Sequence, residues 1–220
     1  MKSKSHQKEV FLESEADAWF DRNHAACQQQ NFEQDSICNV ISEIIETANN
    51  KPLKILEIGC GEGRRLAWLA KQFNVDVYGI DLSKKAVASA NKLGVKAKQG
   101  AADQLQFKDG EFDLVVFGFC LYLCDREDLF RIAQEADRVL KSEAWIVIHD
   151  FFSLMPTQHS YHHKTGLYSY KMDYRKLFDW HPNYQCYSHK VAHHTSLALS
   201  DDPNEWVATS VLRKRLTSDV

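Results

Sequence analysis

Residues 55–70 read ILEIGCGEGRRLAWLA: a short apolar run, three glycines at alternate positions (Gly59, Gly61 and Gly63), then a helical pattern. An apolar strand that breaks into glycines and restarts as an amphipathic helix is the strand–turn–helix unit of α/β proteins, and such turns sit where ligands are held. Glycines alone only permit a tight turn. The charges around them carry more information. Glu57 precedes the first glycine and Glu62 lies inside the turn. Against either carboxylate a phosphate would meet a repulsion of roughly 4 kcal/mol, for unit charges about 4 Å apart at an effective dielectric near 20. The spacing also departs from a pyrophosphate turn, because G-x-G-x-x-G would need glycine where Arg64 stands. A small ligand with a cationic end suits this turn better than a diphosphate.

Working outward, strand patterns recur at KILEI (54–58), VDVYGID (75–81), VKAKQ (95–99), FDLVVFG (112–118) and AWIVIHD (144–150). They are β-branched and apolar on both faces, as central parallel strands covered by helices are. Helical patterns separate them. Leu66, Leu69, Ala70 and Phe73 form one stripe, and Leu129, Ile132, Ala133, Ala136, Val139 and Leu140 another, with Asp125 as its expected cap. Ser83 is positioned as the N-cap of a lysine- and alanine-rich helix ending at Gly94. Repeated strand–helix–strand units imply right-handed crossovers. Two last strand patterns, 184–194 and 205–213, are joined by a turn at Asp201-Asp202-Pro203-Asn204 and should pair antiparallel. The expected fold is therefore α/β: a Rossmann-like doubly wound sheet of about seven strands, mostly parallel, with a C-terminal antiparallel hairpin.

The 220 residues, 44% hydrophobic, suffice for one buried core. The expected organisation is a single domain: a helical lid over 1–50, a cofactor-binding core over 51–150, a substrate-side insertion over 151–183 and the hairpin over 184–220. In the lid, helices are expected at 13–22 and 34–47. A formal net charge of −3 offers no basic field for nucleic acid. The polar start MKSKSHQKEVF is unlike a signal peptide, and no run approaches the roughly 18 apolar residues of a membrane span. Six cysteines (Cys27, Cys38, Cys60, Cys120, Cys124 and Cys186) lack CxxC spacing and read as reduced thiols of a cytoplasmic protein. Oligomerisation has no sequence signal.

Two more acids stand at strand ends. Asp81 closes YGIDLS, where a carboxylate can accept both hydroxyls of a ribose. Asp103, in GAADQLQF, could accept an exocyclic amine, or be an ordinary turn aspartate. Three acids at the carboxyl ends of three successive strands form a pattern that a turn role for each does not explain.

ILEIGCGEGR, GIDLS, AADQLQFKDGEFDLVVFGFCLYL and LKSEAWIVIHDF, taken in this order, resemble the motifs of class I S-adenosylmethionine-dependent methyltransferases over roughly residues 53–150. The resemblance implies S-adenosylmethionine as cofactor. It implies that Gly59, Gly61 and Gly63 pass its methionine part with Glu57 near the amino group, and that Asp81 holds the ribose. Leu82 would pack on adenine, Ala102 and Asp103 would meet the adenine edge, and Phe117 would lie beside the sulfonium. The motifs are nearly silent about the acceptor.

Family members that methylate base amines carry an Asn/Asp-Pro-Pro-aromatic stretch after the fourth strand. This chain has FGFCLYLCD there, so a small metabolite is expected rather than nucleic acid. Residues 151–194 hold five Lys or Arg against two acids, and seven of the ten histidines. This basic segment in an acidic chain points to an anionic acceptor such as a sugar acid or nucleotide sugar, with methyl transfer to oxygen; a solvated face is the competing explanation. Tyr161, Tyr168, Tyr170 and Tyr174 in the same segment suit a pocket or lid. For a hydroxyl acceptor the expected base is His149 at the end of the fifth strand, then His162 or His163. Adjacent histidines make a poor chelate, so no metal is expected. The alternatives are an amine acceptor, a dinucleotide-binding oxidoreductase, and a cofactor-binding domain without turnover.

Overall fold

In the computed structural model, which describes residues 7–48, 51–196 and 198–215, the strand that opens the glycine turn is β1 (Leu53–Ile58). The helix after the turn is α4 (Arg64–Gln72), preceded in the chain by α1 (Gln7–Val10), α2 (Ala16–Cys27) and α3 (Ser36–Thr47). A π-helical turn, Phe11–Glu15, joins α1 to α2. The alternation continues through β2 (Val75–Asp81), α5 (Lys84–Lys92), β3 (Lys96–Gln99), β4 (Phe112–Gly118), α6 (Leu129–Val139) and β5 (Leu140–Phe151). Then come β6 (Thr157–Ser160), β7 (Tyr168–Lys171), β8 (Tyr184–His193) and β9 (Trp206–Lys214). Seven strands form one sheet in the order β3-β2-β1-β4-β5-β9-β8. Its β1–β5 members pair in parallel, whereas β9 runs antiparallel to both β5 and β8. The expected sheet and its terminal hairpin are both present. The fifth strand is longer than its apolar pattern, beginning at Leu140 rather than Ala144, with Glu143 at φ +58° inside it.

Two-residue alternation along the central strands sorts the core into two layers. Leu56, Ile58, Val115, Phe117, Ile146 and Ile148 face Ile132, Ala136 and Val139 of α6. Ile55, Leu114, Val116 and Val147 face Ile37 and Ile41 of α3 and Leu66 and Leu69 of α4. Phe117 therefore does not reach the ligand side as the resemblance implied. It is fully buried in the α6 layer, 6.3 Å from the Phe178 ring.

Ser83 caps α5 as the sequence indicates, and α3 starts on an aspartate cap that the sequence reading did not name. Ser83 Oγ accepts the Ala86 N–H at 3.0 Å, and Asp35 Oδ1 accepts those of Ile37 and Cys38, each at 2.9 Å. Asp125 does not cap α6; its Oδ2 accepts the backbone N–H of Lys8 at 3.1 Å. The segment after β5 folds into the separate β6–β7 hairpin and a 3-10 turn at Tyr174–Leu177. Among the described residues no helix is long and apolar enough to cross a membrane.

Phe117→Ala is expected to lower unfolding free energy by about 3–5 kcal/mol, the usual cost of emptying a buried phenylalanine site. Denaturant titration measures it. A loss below about 1 kcal/mol would contradict the placement of this ring in the core.

Candidate active site

At the carboxyl ends of β1–β5 lies a cavity of about 490 Å³, a size suited to a small organic ligand. It crosses the sheet from the loop after β3 to the end of β5, with Asp103 at one extreme and Phe151 at the other. Glu57, Gly59, Gly61, Gly63, Asp81, Leu82, Ala102 and Asp103 all line it.

The glycine turn is built for close approach. Gly61 has φ +53°, and a Cβ there would meet nothing within 4 Å, so its backbone lies bare toward open space. Gly59 has φ +75°, and a Cβ would come 2.5 Å from the Cys120 Cβ, so glycine lets β1 and the loop after β4 touch.

Glu57 is 1% exposed and paired with the Arg65 guanidinium, which also reaches Asp35 Oδ2 at 3.2 Å. Its Oε1 serves Arg65, while its Oε2 is buried with no hydrogen-bond partner. Burial pushes the Glu57 carboxyl up to about 7 against the pull of Arg65. A buried, unpaired carboxylate oxygen costs more than the ~1–3 kcal/mol of a neutral group unless a donor arrives. An ammonium fits that vacancy; a phosphate does not.

Asp81 is fixed by backbone donors, Gly61 N–H on Oδ2 and Ser83 N–H on Oδ1, both at 2.8 Å. Burial raises its pKa while these bonds oppose the shift. Each oxygen has a further lone pair for a ligand hydroxyl. Asp103 is 6% exposed and held by Lys8 Nζ at 2.5 Å, with Asp128 3.3 Å from the same ammonium. Sequence spacing could not reveal this partner, which arrives from α1.

The α1–α2 segment crosses the cavity as a strap. Gln7 Nε2 donates to Leu123 O (2.7 Å) and Tyr168 O (2.9 Å), and Gln7 Oε1 accepts the Tyr168 N–H at 2.8 Å. Asp17 Oδ1 accepts from Ser83 Oγ at 2.6 Å. Trp19, Phe20, Asn23 and His24 of α2 line the cavity. His24 Nδ1 lies 2.8 Å from Glu62 Oε2 without forming a hydrogen bond, and its Nε2 lies 2.7 Å from Gln28 Nε2. The strap lies within the stretch read as a helical lid over 1–50, while its contact with the glycine turn through His24 carried no sequence signal.

The expected catalytic histidines stand elsewhere. His149 follows Val147 on the α3/α4 face of the sheet, 5% exposed, with Nδ1 2.7 Å from Thr209 Oγ1. Phe119 stands against it, ring centroids 4.6 Å apart, and Phe119, not His149, lines the cavity. Burial lowers the His149 pKa to about 4, so the ring stays neutral. Asp150, on the opposite face, accepts the N–H groups of Cys120 (3.1 Å) and Leu121 (2.8 Å) and secures the loop after β4. His162 and His163 are exposed between β6 and β7 and do not line the cavity.

The basic residues of the insertion are also absent from the lining. Arg175 pairs with Asp173 at 3.0 Å, and Lys171 donates to the Asn204 carbonyl. Nor do its tyrosines enter. Tyr161 Oη donates to Glu15 Oε1 at 3.2 Å beside α2, and the Arg126 guanidinium stacks 4.1 Å from the Tyr170 ring centroid. The hairpin supports the strap rather than the ligand. Among the described residues, His193, His194 and Glu205 gather ligand atoms within 4.8 Å of one another at the β8–β9 turn, and none of the three lines the cavity. There His194 Nδ1 pairs with Glu205 at 2.6 Å, while His193 Nδ1 accepts the Thr195 N–H at 3.2 Å.

A parallel sheet closed by an antiparallel β9, with a carboxylate-edged cleft at its carboxyl end, defines a nucleoside-binding α/β protein. Residues 56–148 match the family model described as a methyltransferase domain. An uncharacterised protein of Methanocaldococcus jannaschii is 33% identical over 61% of this chain and 56% of its own length. Ajmaline N-methyltransferase of Rauvolfia serpentina is 32% identical over 54% of this chain and 44% of its own. The chain thus spans about half the length of these curated relatives. In structure, the Burkholderia thailandensis 1,6-didemethyltoxoflavin-N1-methyltransferase, solved with S-adenosylhomocysteine, superposes with TM-score 0.70 at 13% identity, covering 98% of this chain and 92% of that one. Over the matched residues the chain resembles a methyltransferase domain, and its fold is the one S-adenosylmethionine-dependent methyltransferases share.

His149 has a folded pKa below its unfolded value of about 6.5, so acid favours the unfolded chain. Its contribution to stability is complete above about 6.5 and falls by roughly 1.4 kcal/mol per pH unit down to about 4. The stability difference between wild type and His149→Gln should shrink at that rate over this window, as read by denaturant titrations at several pH values. A pH-independent difference would show that the imidazole is not held neutral.

Proposed function

We propose that this protein transfers a methyl group from S-adenosylmethionine to a small organic acceptor. The observation that carries the reading is Glu57 Oε2, buried and unpaired on the cavity wall beside bare glycine backbone. When bound, S-adenosylmethionine supplies a methyl on a positively charged sulfur, which leaves as a neutral thioether while the acceptor gains the methyl and sheds its proton. Glu57 would receive the ammonium of the methionine part, Asp81 the ribose hydroxyls, and Leu82 with Ala102 the adenine. Asp103, already held by Lys8, would bound the adenine end.

The acceptor side lies over β4 and β5. The ionisable side chains of the loop after β4 that line it are Cys120, Tyr122, Cys124, Asp125 and Asp128, the last paired with Lys8 Nζ at 3.3 Å. Burial raises Cys120 and Tyr122 well above their ordinary values and Cys124 to about 12, so none is a base near neutral pH. Asp125 is committed to the Lys8 N–H. Without a base at this end, an acceptor that brings its own lone pair is favoured, which supports the amine alternative over a hydroxyl. The anionic reading loses its support as well, since the cations of the insertion line no part of the cavity.

Calorimetry with S-adenosylhomocysteine and with NADH tests the proposal: the first should bind and the second should not, and the reverse result would sink it. The pH dependence is a sharper check. A ligand ammonium needs Glu57 ionised, so affinity for S-adenosylhomocysteine should rise as pH passes upward through about 7. Between pH 6 and 8 the gain is roughly tenfold, flattened in Glu57→Gln. An equal slope in wild type and variant would remove Glu57 from the site.

A further inference from the structure

Resting on the methyltransferase reading, we infer that the acceptor is a flat, uncharged aromatic or heteroaromatic molecule held over β4 and β5. The cavity divides by composition. Its β1–β3 half carries the carboxylates described above, whereas its β4–β5 half is walled by Phe119, Tyr122 and Phe151, with Trp19 descending from the strap. The three floor rings form one cluster: Phe119 lies 5.2 Å and Tyr122 5.0 Å from Phe151, the first pair tilted and the second edge-to-face. Aromatic walls on this half of the cavity favour a planar aromatic guest, whose face and edge can each meet a ring at contact distance.

The backbone supports this floor at a cost. Phe119 has φ +54°, a left-handed conformation that a bulky side chain rarely adopts. It is held there by its N–H on the His149 carbonyl (2.8 Å) and by the His149 ring beneath it. A glycine would occupy the same backbone without strain, so what the phenylalanine adds at this position is its ring. One turn from Trp19, Asn23 also lines the cavity; its Nδ2 donates to Trp19 O at 2.8 Å, and its Oδ1 has no hydrogen bond among the described residues. That oxygen offers the guest one acceptor for an N–H or O–H.

Charge excludes the competing class. The described lining contains six Asp or Glu residues against three Lys or Arg, and all three cations are already beside carboxylates: Lys8 on Asp103, Arg65 on Glu57 and Arg64 3.7 Å from Glu62. A sugar acid or nucleotide sugar would bring further negative charge into a net-acidic space whose cations each stand beside a carboxylate.

The test uses the full chain loaded with S-adenosylhomocysteine, titrated calorimetrically at pH 7.5 with 1-naphthol, galacturonate and UDP-glucose. The expected result is saturable binding of 1-naphthol and none of the two anions. Phe119→Gly, whose backbone is relaxed by the change, and Tyr122→Leu should each weaken 1-naphthol about tenfold or more through the lost ring surface. Their S-adenosylhomocysteine affinity should stay within about threefold of wild type, well under one tenfold step of 1.4 kcal/mol. Binding of either anion, no binding of 1-naphthol, or 1-naphthol affinity unmoved by both substitutions overturns the inference. If S-adenosylhomocysteine itself does not bind wild type, it is the methyltransferase reading that fails, and the two failures are told apart by this first titration.

Discussion

A buried guanidinium shared by two carboxylates organises this molecule. Arg65, at the start of α4, meets Glu57 at the end of β1 and Asp35 at the cap of α3. Three elements are thereby fixed to one charged centre, and Gly118 at the end of β4 leaves room for it, since a Cβ there would lie 2.9 Å from Glu57 Oε1 and 3.0 Å from Arg65 Nη1. Two carboxylates against one guanidinium leave a negative excess. Breaking such a buried cluster by removing one partner costs about 3–5 kcal/mol, so the fold itself keeps it assembled. What the arrangement leaves over, one unpaired oxygen of Glu57, is the feature from which ligand recognition follows.

The strap and the insertion depend on each other in the same way. The α1–α2 segment has few apolar anchors of its own: Phe11 and Ala16 form a small cluster with Leu167 from the insertion, against which Leu82 and Tyr161 pack. Its polar ends are fastened to the loops after β2, β3 and β4 through Asp17, Lys8 and Gln7. The β6–β7 hairpin supplies Tyr168 and Tyr161 to this fastening. Aromatic richness in the insertion therefore serves the roof of the cavity from behind. The tyrosines of this segment buttress the strap, and the rings that line the cavity over β4 and β5 belong to α2, the loop after β4 and Phe151.

Much of the fold was legible because it rests on local periodicity. Runs apolar on both faces, separated by amphipathic stripes, can only be parallel strands covered by helices, and β1, β2 and β4 fall within a residue of those runs. Eight of the cavity-lining residues between Glu57 and Asp103 were legible too, because turns at the carboxyl ends of successive parallel strands meet at one crevice. Phe117 and His149 were misjudged for a shared reason. Each lies near a strand end, where a shift of one residue decides between the α6 layer, the α3/α4 layer and the cavity. The cavity instead takes Gly118 and Phe119, the latter through a left-handed backbone that no sequence pattern announces.

The amino-acid sequence by itself determined the α/β architecture, the glycine turn and the row of acids, since each is written in spacings of a few residues. Only the tertiary structure decided which acids are neutralised, because Lys8 reaches Asp103 and Arg65 reaches Asp35 across 95 and 30 residues of chain. It alone decided that the histidines and lysines after β5 stay outside the cavity while Trp19 enters it. Charge and hydrogen-bond partnership are properties of neighbours in space, and a linear pattern records neighbours only along the chain.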